Sequence, residues 1–414
     1  MNTAPTASIT NPIDGSTYTE GDTISFSGTG DDAEDGSLTG SSLVWTSTID
    51  GEIGTDTSFE RSDLSVGIHT ITLTATDSED ATGSDSVDIT VRSALLHVPS
   101  EYGTIQEAID AAEEGDTIKI AAGTYKEQDL EVFGGLTIEG ESAESTIIRG
   151  FGTDDIIKDS YYSDNAKPII IKKVTIENGD KGIYLFEQIL ELTDCIVQNN
   201  NSSGIYLSGS VATISDCEIA DNSDDGIFLG TITISNSVIR DNTGDGVSAA
   251  NATISNSVIK NNAGNGIQAN GKEITITNTI IANNTGDGIR YGDMDISYCT
   301  IYGNNDGIYA FSSSGTVKNS IVAMNTDDGI YDSNSSLTFS NINFYGNSDC
   351  NWTVDYTCYI GSAWYDAIDS ILTDPMFVDA ANGDFHLQEG SPALTASDTG
   401  GEIGAYGNGG NPPD

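Results

Sequence analysis

Eight residues stand at one recurring position of this 414-residue chain: Tyr184, Tyr206, Phe228, Ser248, Gln268, Arg290, Tyr309 and Tyr331. Each follows an Ile or Val that precedes it in a short apolar run such as DGIFLG, so alternation turns it outward while its neighbours turn inward. The column has aromatic ends and a polar centre with one cation, Arg290. Sugar rings stack on aromatic faces, so the chemistry these residue types suit is glycan binding along about seven strand steps, roughly 34 Å. Ordinary strand propensity also places Tyr on exposed sheets, and that reading stays open.

An acidic column runs beside the first: Ser203, Asp225, Asp245, Asn265, Asp287, Asp306 and Asp328. Carboxylates stacked about 4.8 Å apart repel by roughly 1 kcal/mol in water and by more when dehydrated. Such a stack calls for a counter-ion, and calcium, a hard cation that takes oxygen ligands, is the expected one. Solvated Asp chosen for turn geometry explains the same residues without an ion. The whole chain shares the bias: 15 Lys and Arg against 64 Asp and Glu give a formal charge of -49. That charge repels nucleic acid and anionic membranes, and it fits either a saline habitat or calcium. No apolar run approaches the roughly 20 residues of a membrane span.

The elements that must position these columns are legible from a repeat of 19 to 22 residues. Gly182, Gly204, Gly226, Gly246, Gly266, Gly288, Gly307 and Gly329 mark eight coils, each with three short β-branched runs. The runs are too short, and too often broken by Gly and Asn, for helices. Stacked coils bury the inner faces together, and such a period defines a solenoid. Asn200, Asn222, Asn242, Asn262, Asn284, Asn304, Asn325 and Asn347 fall at one turn. A second column runs Asp194, Asp216, Asn236, Asn256, Asn278, Tyr298, Asn319, Asn341. Stacked amides can bond along the axis, and Asn tolerates a left-handed backbone. Thr213, Thr233, Thr253 and Thr275, with Ser215, Ser235, Ser255 and Thr277, form a hydroxyl array of the kind ice-binding solenoids use, a remote alternative.

The solenoid's start is the stretch EYGTIQEAIDAAEEGDTIKIAAGTY. Thr104 and Glu107 have capping-box spacing, Ile105, Ala108, Ile109 and Ala112 make one apolar helix face, and Gly115 stops it. This predicts a short helix plugging the open end. The motif resembles the N-terminal cap of the pectate-lyase-like superfamily of right-handed parallel β-helices. DPMFVDAANGDFHLQEGSPALTASDTGGEIGAYG resembles the closing segment of secreted bacterial β-helix proteins. The resemblance covers about residues 94 to 408 and implies an extracellular or cell-surface protein acting on or binding polysaccharide. It also implies a calcium-dependent lyase alternative, with Arg290 as base or charge stabiliser and Asp245, Asp287 and Asp306 holding the ion. A guanidinium is a poor base, and lyase grooves carry more cations than this centre has. Asp pairs such as Asp224–Asp225 and Asp327–Asp328 could serve a hydrolase. His69, His97 and His386 lie away from the column and form no further catalytic set.

Residues 1–93 read instead as short alternating strands with Gly and Asp turns and Trp45 as core, a β-sandwich. APTASITNPIDGSTYTEGDTISFSG and GIHTITLTATDSEDATGSDSVDITV resemble the Ig-like and PKD-like modules of bacterial surface proteins. That resemblance implies a spacer or adhesion role, with calcium at the acidic loop of Asp31, Asp32, Glu34 and Asp35. The expected division is therefore 1–93 sandwich, 94–362 β-helix and 363–414 closing segment, an all-β chain throughout. Cys350 and Cys358 sit in DCNWTVDYTCY and suit a disulfide, whereas Cys195, Cys217 and Cys299 recur in the repeat as buried thiols. MNTAPTASIT has neither the basic start nor the apolar stretch of a secretion signal, so export is inferred from the architecture alone. The expected partner is polysaccharide or cell-surface glycan, with no nucleic acid and no membrane insertion.

Overall fold

A computed structural model describes residues 2–160, 166–270, 273–355, 357–359 and 367–413. The chain divides into two compact units, Met1–Leu95 and Leu96–Asp414. In the first, one sheet carries Thr6–Asn11, Ile24–Asp32, Gly36–Leu38 and Ser58–Arg61, and a five-stranded sheet carries the other strands. Ile24 and Phe26 of one sheet meet Leu43, Trp45, Ile71 and Leu73 of the other in a single buried core. Trp45 keeps its indole N–H satisfied by donating to the Asp56 carbonyl at 2.9 Å.

In the second unit three sheets of thirteen, eleven and twelve strands stack along one axis, and the last strand of the twelve, Thr357–Tyr359, pairs antiparallel to Trp352–Val354. Successive strands of a sheet come from successive coils. They pair in register, as in Thr213↔Thr233↔Thr253↔Thr275 and Tyr184↔Tyr206↔Phe228. The coils turn one or two apolar side chains per strand inward, mostly Ile, Leu and Val, and these join into one continuous core from Leu96 to Trp352. No coil could bury its inner face alone, which is why the repeat is needed at all. The predicted plug is present as helix α1, Ile105–Ala111. Thr104 and Glu107 close their capping box reciprocally at 3.1 Å, and the Glu127 carboxylate accepts the free Ile105 and Gln106 N–H groups.

The two Asn-rich columns turn out to do different work. Residues of the second, from Asp194 (φ 52°) to Asn341 (φ 55°), take the left-handed backbone. The first column points inward, and each amide donates to the next, as Asn222 to Asn242 and Asn242 to Asn262, both at 3.0 Å. The Gly column is required by close approach: a Cβ on Gly266 would lie 2.6 Å from the Gly288 carbonyl. The Cys350–Cys358 disulfide is formed, and Cys195, Cys217 and Cys299 are buried free thiols. Burial pushes the Cys299 thiol up to about 12, so it is inert.

After the last coils the chain doubles back. Residues 377–413 lie along the outside of the eleven-stranded sheet, burying Val258, Ile280, Ala282, Ile321 and Ala323 against Phe385, Ala393, Ile403 and Ala405. The three outer faces of the solenoid therefore differ. One shows the Thr array, one is covered by this segment, and one carries the aromatic column. The Thr array is exposed and in register; Glu191 precedes its four coils, and Asp295 interrupts it before Thr316 and Thr338 resume the column.

Candidate functional site

The twelve-stranded sheet brings all eight outward residues into one column, with Arg290 paired to Gln268 on one side and Tyr309 on the other. Tyr184, Tyr206 and Phe228 form one aromatic run, with ring centres 5.3 and 5.1 Å apart. Tyr309 and Tyr331 form the second, stacked at 4.8 Å with planes 10° apart. Ser248 and Gln268 separate the two runs, and Ser248 is buried. Lys181 sits 5.7 and 5.8 Å over Tyr184 and Tyr206, a cation that sequence reading had not joined to the column.

Arg290 is held more tightly than its column position predicts. Its guanidinium lies 4.8 Å from the Tyr291 ring centre and 4.6 Å from that of Tyr309. It donates to Asp287 Oδ2 at 2.7 Å and to Tyr291 Oη at 3.0 Å. Burial works against its charge, but the Tyr291 hydrogen bond and the Asp287 carboxylate outweigh this and raise its pKa further. It is a fixed cation, suited to stabilising negative charge and not to accepting a proton. Tyr291 was missed because strand alternation assigns it inward. It points out because its coil turns early, with Tyr291 at φ 62° and Gly292 at φ 90°. Leu229 (φ 62°) and Gly230 (φ 85°) make the same turn, and the sequence signal is the Gly two residues after the outward position in IFLG and IRYG. Next to the clamp lies a groove of about 510 Å³ lined by Gln268, Asn270, Tyr291, Asp293 and Phe311.

The acidic column is ordered by backbone rather than by solvent. Asp225 accepts the Asp245 N–H at 2.7 Å, Asp245 the Asn265 N–H at 2.6 Å, and Asn265 the Asp287 N–H at 2.9 Å. The pattern continues through Asp287 to Asp306, Asp306 to Asp328 and Asp328 to Cys350. Burial outweighs these hydrogen bonds at several positions: Asp225 rises to about 6, Asp306 to about 7, and Asp245 and Asp328 also rise. Burial and the neighbouring carboxylates thus favour the protonated form at these positions.

Among the described residues, one grouping brings three possible ligand atoms within 4.8 Å: Asp328, Asp349 and Cys350. The Cys350 sulfur there is bonded to Cys358. In the column, Asp225, Asp245, Asp287, Asp306 and Asp328 each turn one carboxylate oxygen to a backbone N–H. In the sandwich loop, Asp31 accepts from Ser37 and Asp35 from Ser78, while Asp32 Oδ1 accepts the Glu34 and Asp35 N–H groups. Asp32 Oδ2 is buried without a hydrogen-bond partner, an atom that a cation would satisfy.

The coil geometry and its ladders define a right-handed parallel β-helix protein with a clamped cation on an aromatic face. The family model for the right-handed β-helix region matches residues 134–293 and 230–362, and the chain belongs to that family. No curated protein matches the sequence. Among solved structures it is similar to the A-module of a mannuronan C-5 epimerase from Azotobacter vinelandii: 15% identity, 66% of this chain, 94% of that one, TM-score 0.45. It is also similar to a family 28 exopolygalacturonase from Yersinia enterocolitica (11%, 89% and 99%, TM-score 0.31). A third is the pectin methylesterase of Erwinia chrysanthemi (15%, 71% and 98%, TM-score 0.32). Likeness at this level carries no chemistry across, since one fold hosts many activities.

Proposed function

We propose that the aromatic sheet binds an acidic polysaccharide at the cell surface or outside the cell. The observation that supports this best is the Arg290 clamp: a guanidinium flanked by two Tyr rings, fixed by Asp287, with a second aromatic run beyond it on the same face. Rings take sugar faces, and the guanidinium takes a carboxylate. On a chain of formal charge -49 a uronic polymer is otherwise repelled, so a positioned cation decides where it lands. The test is affinity electrophoresis in gels cast with neutral or uronic polysaccharides. Retardation by the uronic polymers that is lost in Arg290→Ala is expected. Equal migration in all gels would reject the reading.

A second reading, polysaccharide cleavage by a lyase or hydrolase, is favoured by one observation. The Asp306 carboxyl, at about 7, carries a proton about half the time near neutral pH, and the Asp306 backbone N–H donates to the same Asp287 that holds Arg290. Incubation with the same polymers should then release unsaturated products or reducing ends, and Asp306→Asn should abolish this while retardation persists. Retardation without turnover in the wild type would leave binding alone. Calcium, in this proposal, supports the Asp32 loop, and chelator should lower the melting temperature of the sandwich. An unchanged transition would remove the ion.

A further inference from the structure

The first coils of the thirteen-stranded sheet gather lysines on their outer face. Lys119, Glu139 and Lys172 pair in register on successive coils, and Lys173 follows at the turn. Lys119 donates to Glu139 Oε2 at 2.7 Å and Lys173 to Oε1 at 3.0 Å, while Lys172 Nζ lies 3.1 Å from Oε2. Three ammoniums thus share one carboxylate, and none has a second protein partner among the described residues.

Elsewhere on the solenoid the ratio is reversed. Arg290 has Asp287 to itself, Lys181 has Asp155 and Asp180, and Arg240 has Glu218, Asp221 and Asp241. One lysine neutralises Glu139. The other two leave a local surplus of positive charge on a chain whose formal charge is -49. Ammoniums this close repel one another, and an anion laid across them would relieve that repulsion.

The surplus also faces open space. A cavity of about 360 Å³ is lined by Lys119, Lys173, Gly140, Val98, Pro99 and Ser100. The side chains of Lys119, Lys172 and Lys173 are 39, 35 and 41% exposed against 13% for Glu139, so the ammoniums can be reached while the carboxylate they hold is screened. A second carboxylate along the cavity, Glu141, accepts the Ala122 N–H at 3.3 Å. Even with Glu141 counted, the lysines outnumber the acids.

We infer that this cluster is a second binding site, which takes a sulfate or phosphate group, as the free ion or as an ester on a sugar. A tetrahedral oxyanion offers three oxygens on one face, matching three ammonium donors, whereas a carboxylate offers two. The cavity beside the lysines leaves room for the ring that would carry an ester. The site lies on a different sheet from the aromatic column and does not depend on the glycan reading.

The test is equilibrium dialysis of the full chain against labelled sulfate or phosphate at fixed ionic strength, beside affinity gels cast with dextran sulfate or dextran. Saturable binding in one arm or both is expected: free-ion binding marks the ion as ligand, and retardation by dextran sulfate alone marks the ester. Lys119→Gln with Lys173→Gln should weaken it about ten-fold or more, with a retained melting transition showing that the fold is kept. Glu139→Gln removes the competing acceptor and should tighten it about three-fold or more, a gain that lysines serving Glu139 alone would not give. Arg290→Ala should leave both arms unchanged. The charge-matched control is Lys126→Gln with Lys318→Gln, two exposed lysines outside the cluster. Binding in neither arm, equal weakening by the control, or a Glu139→Gln variant that binds no tighter would overturn the proposal.

Discussion

Two ladders run along this solenoid, one of amides and one of carboxylates; each amide accepts a backbone N–H from the preceding coil, and each carboxylate one from the following coil. Inside, Asn222 Oδ1 accepts the Asn200 N–H at 3.2 Å, and Asn242 Oδ1 accepts that of Asn222 at 3.1 Å. Outside, Asp225 and Asp245 accept from their successors at 2.7 and 2.6 Å. An amide also donates, so the inner ladder is closed: each Nδ2 reaches the next Oδ1 or a backbone carbonyl such as that of Ile219. A carboxylate has no donor unless protonated. The outer ladder therefore keeps unspent acceptor capacity and a charge that varies with pH. Stacked acceptors make a structural spine with one residue type and a responsive surface with the other.

Breaking the inner ladder has the largest expected effect. Asn242→Ala strips the acceptor from the Asn222 N–H and the donor from the Ile219 carbonyl, both in a region closed to water. At about 1–3 kcal/mol for each stranded group, the cost is about 3–5 kcal/mol. A denaturant midpoint measured on the full chain checks this. A loss under 1 kcal/mol would mean that water replaces the amide and that the column is not a spine.

In the outer ladder the contrast predicts a gain. The Asp306 carboxyl is raised to about 7 by burial, above its unfolded value near 3.8. Between these values the unfolded chain ionises while the folded chain keeps its proton, so stability falls as pH rises from about 4 to about 7 and then levels. Asp306→Asn keeps an oxygen for the Asp328 N–H and never ionises. The variant should match the wild type at pH 4 and melt higher at pH 8, by the order of 2 kcal/mol. Glu139 pulls the other way in both proteins: Lys119, with Lys173 and Lys172, holds it at about 2, so its contribution is lost only in strong acid. Comparing variant with wild type cancels that term and the general charge repulsion. Equal melting at pH 8 would show that Asp306 is ionised at little cost.

The spine was legible in the sequence because its partners recur at a fixed spacing. Asn200, Gly204 and their equivalents announce themselves eight times, and the capping box of Thr104 and Glu107 is local. The aromatic column was legible for the same reason. What was not legible depends on breaks in the period or on distant chain. Tyr291 left its inward place because its strand ends at Arg290 and the chain turns there, and Lys181 reached the rings from outside the column. The contacts of Asn278 with Ala405 and Gly407 span more than a hundred residues and have no pattern to follow. The acidic turns could be counted but not weighed: whether Asp306 is solvated or buried depends on the stacked coils around it.

The smallest expected effect separates the two aromatic runs from each other. Tyr309 both stacks on Tyr331 and walls the Arg290 clamp, whereas Tyr206 lies between Tyr184 and Phe228 with Lys181 above it. Truncating Tyr309 to Ala frees the guanidinium on one side, so it loses orientation as well as a ring. Truncating Tyr206 to Ala removes one ring and leaves two. If the polymer is held by charge at the clamp and by rings elsewhere, Tyr309→Ala should weaken binding to uronic polysaccharide about ten-fold. Tyr206→Ala should weaken it only about three-fold, close to 0.7 kcal/mol. Raised salt should narrow the gap, because it screens the guanidinium and leaves stacking in place. Equal losses at low and high salt would mean that the rings act alone and that the clamp belongs to the fold.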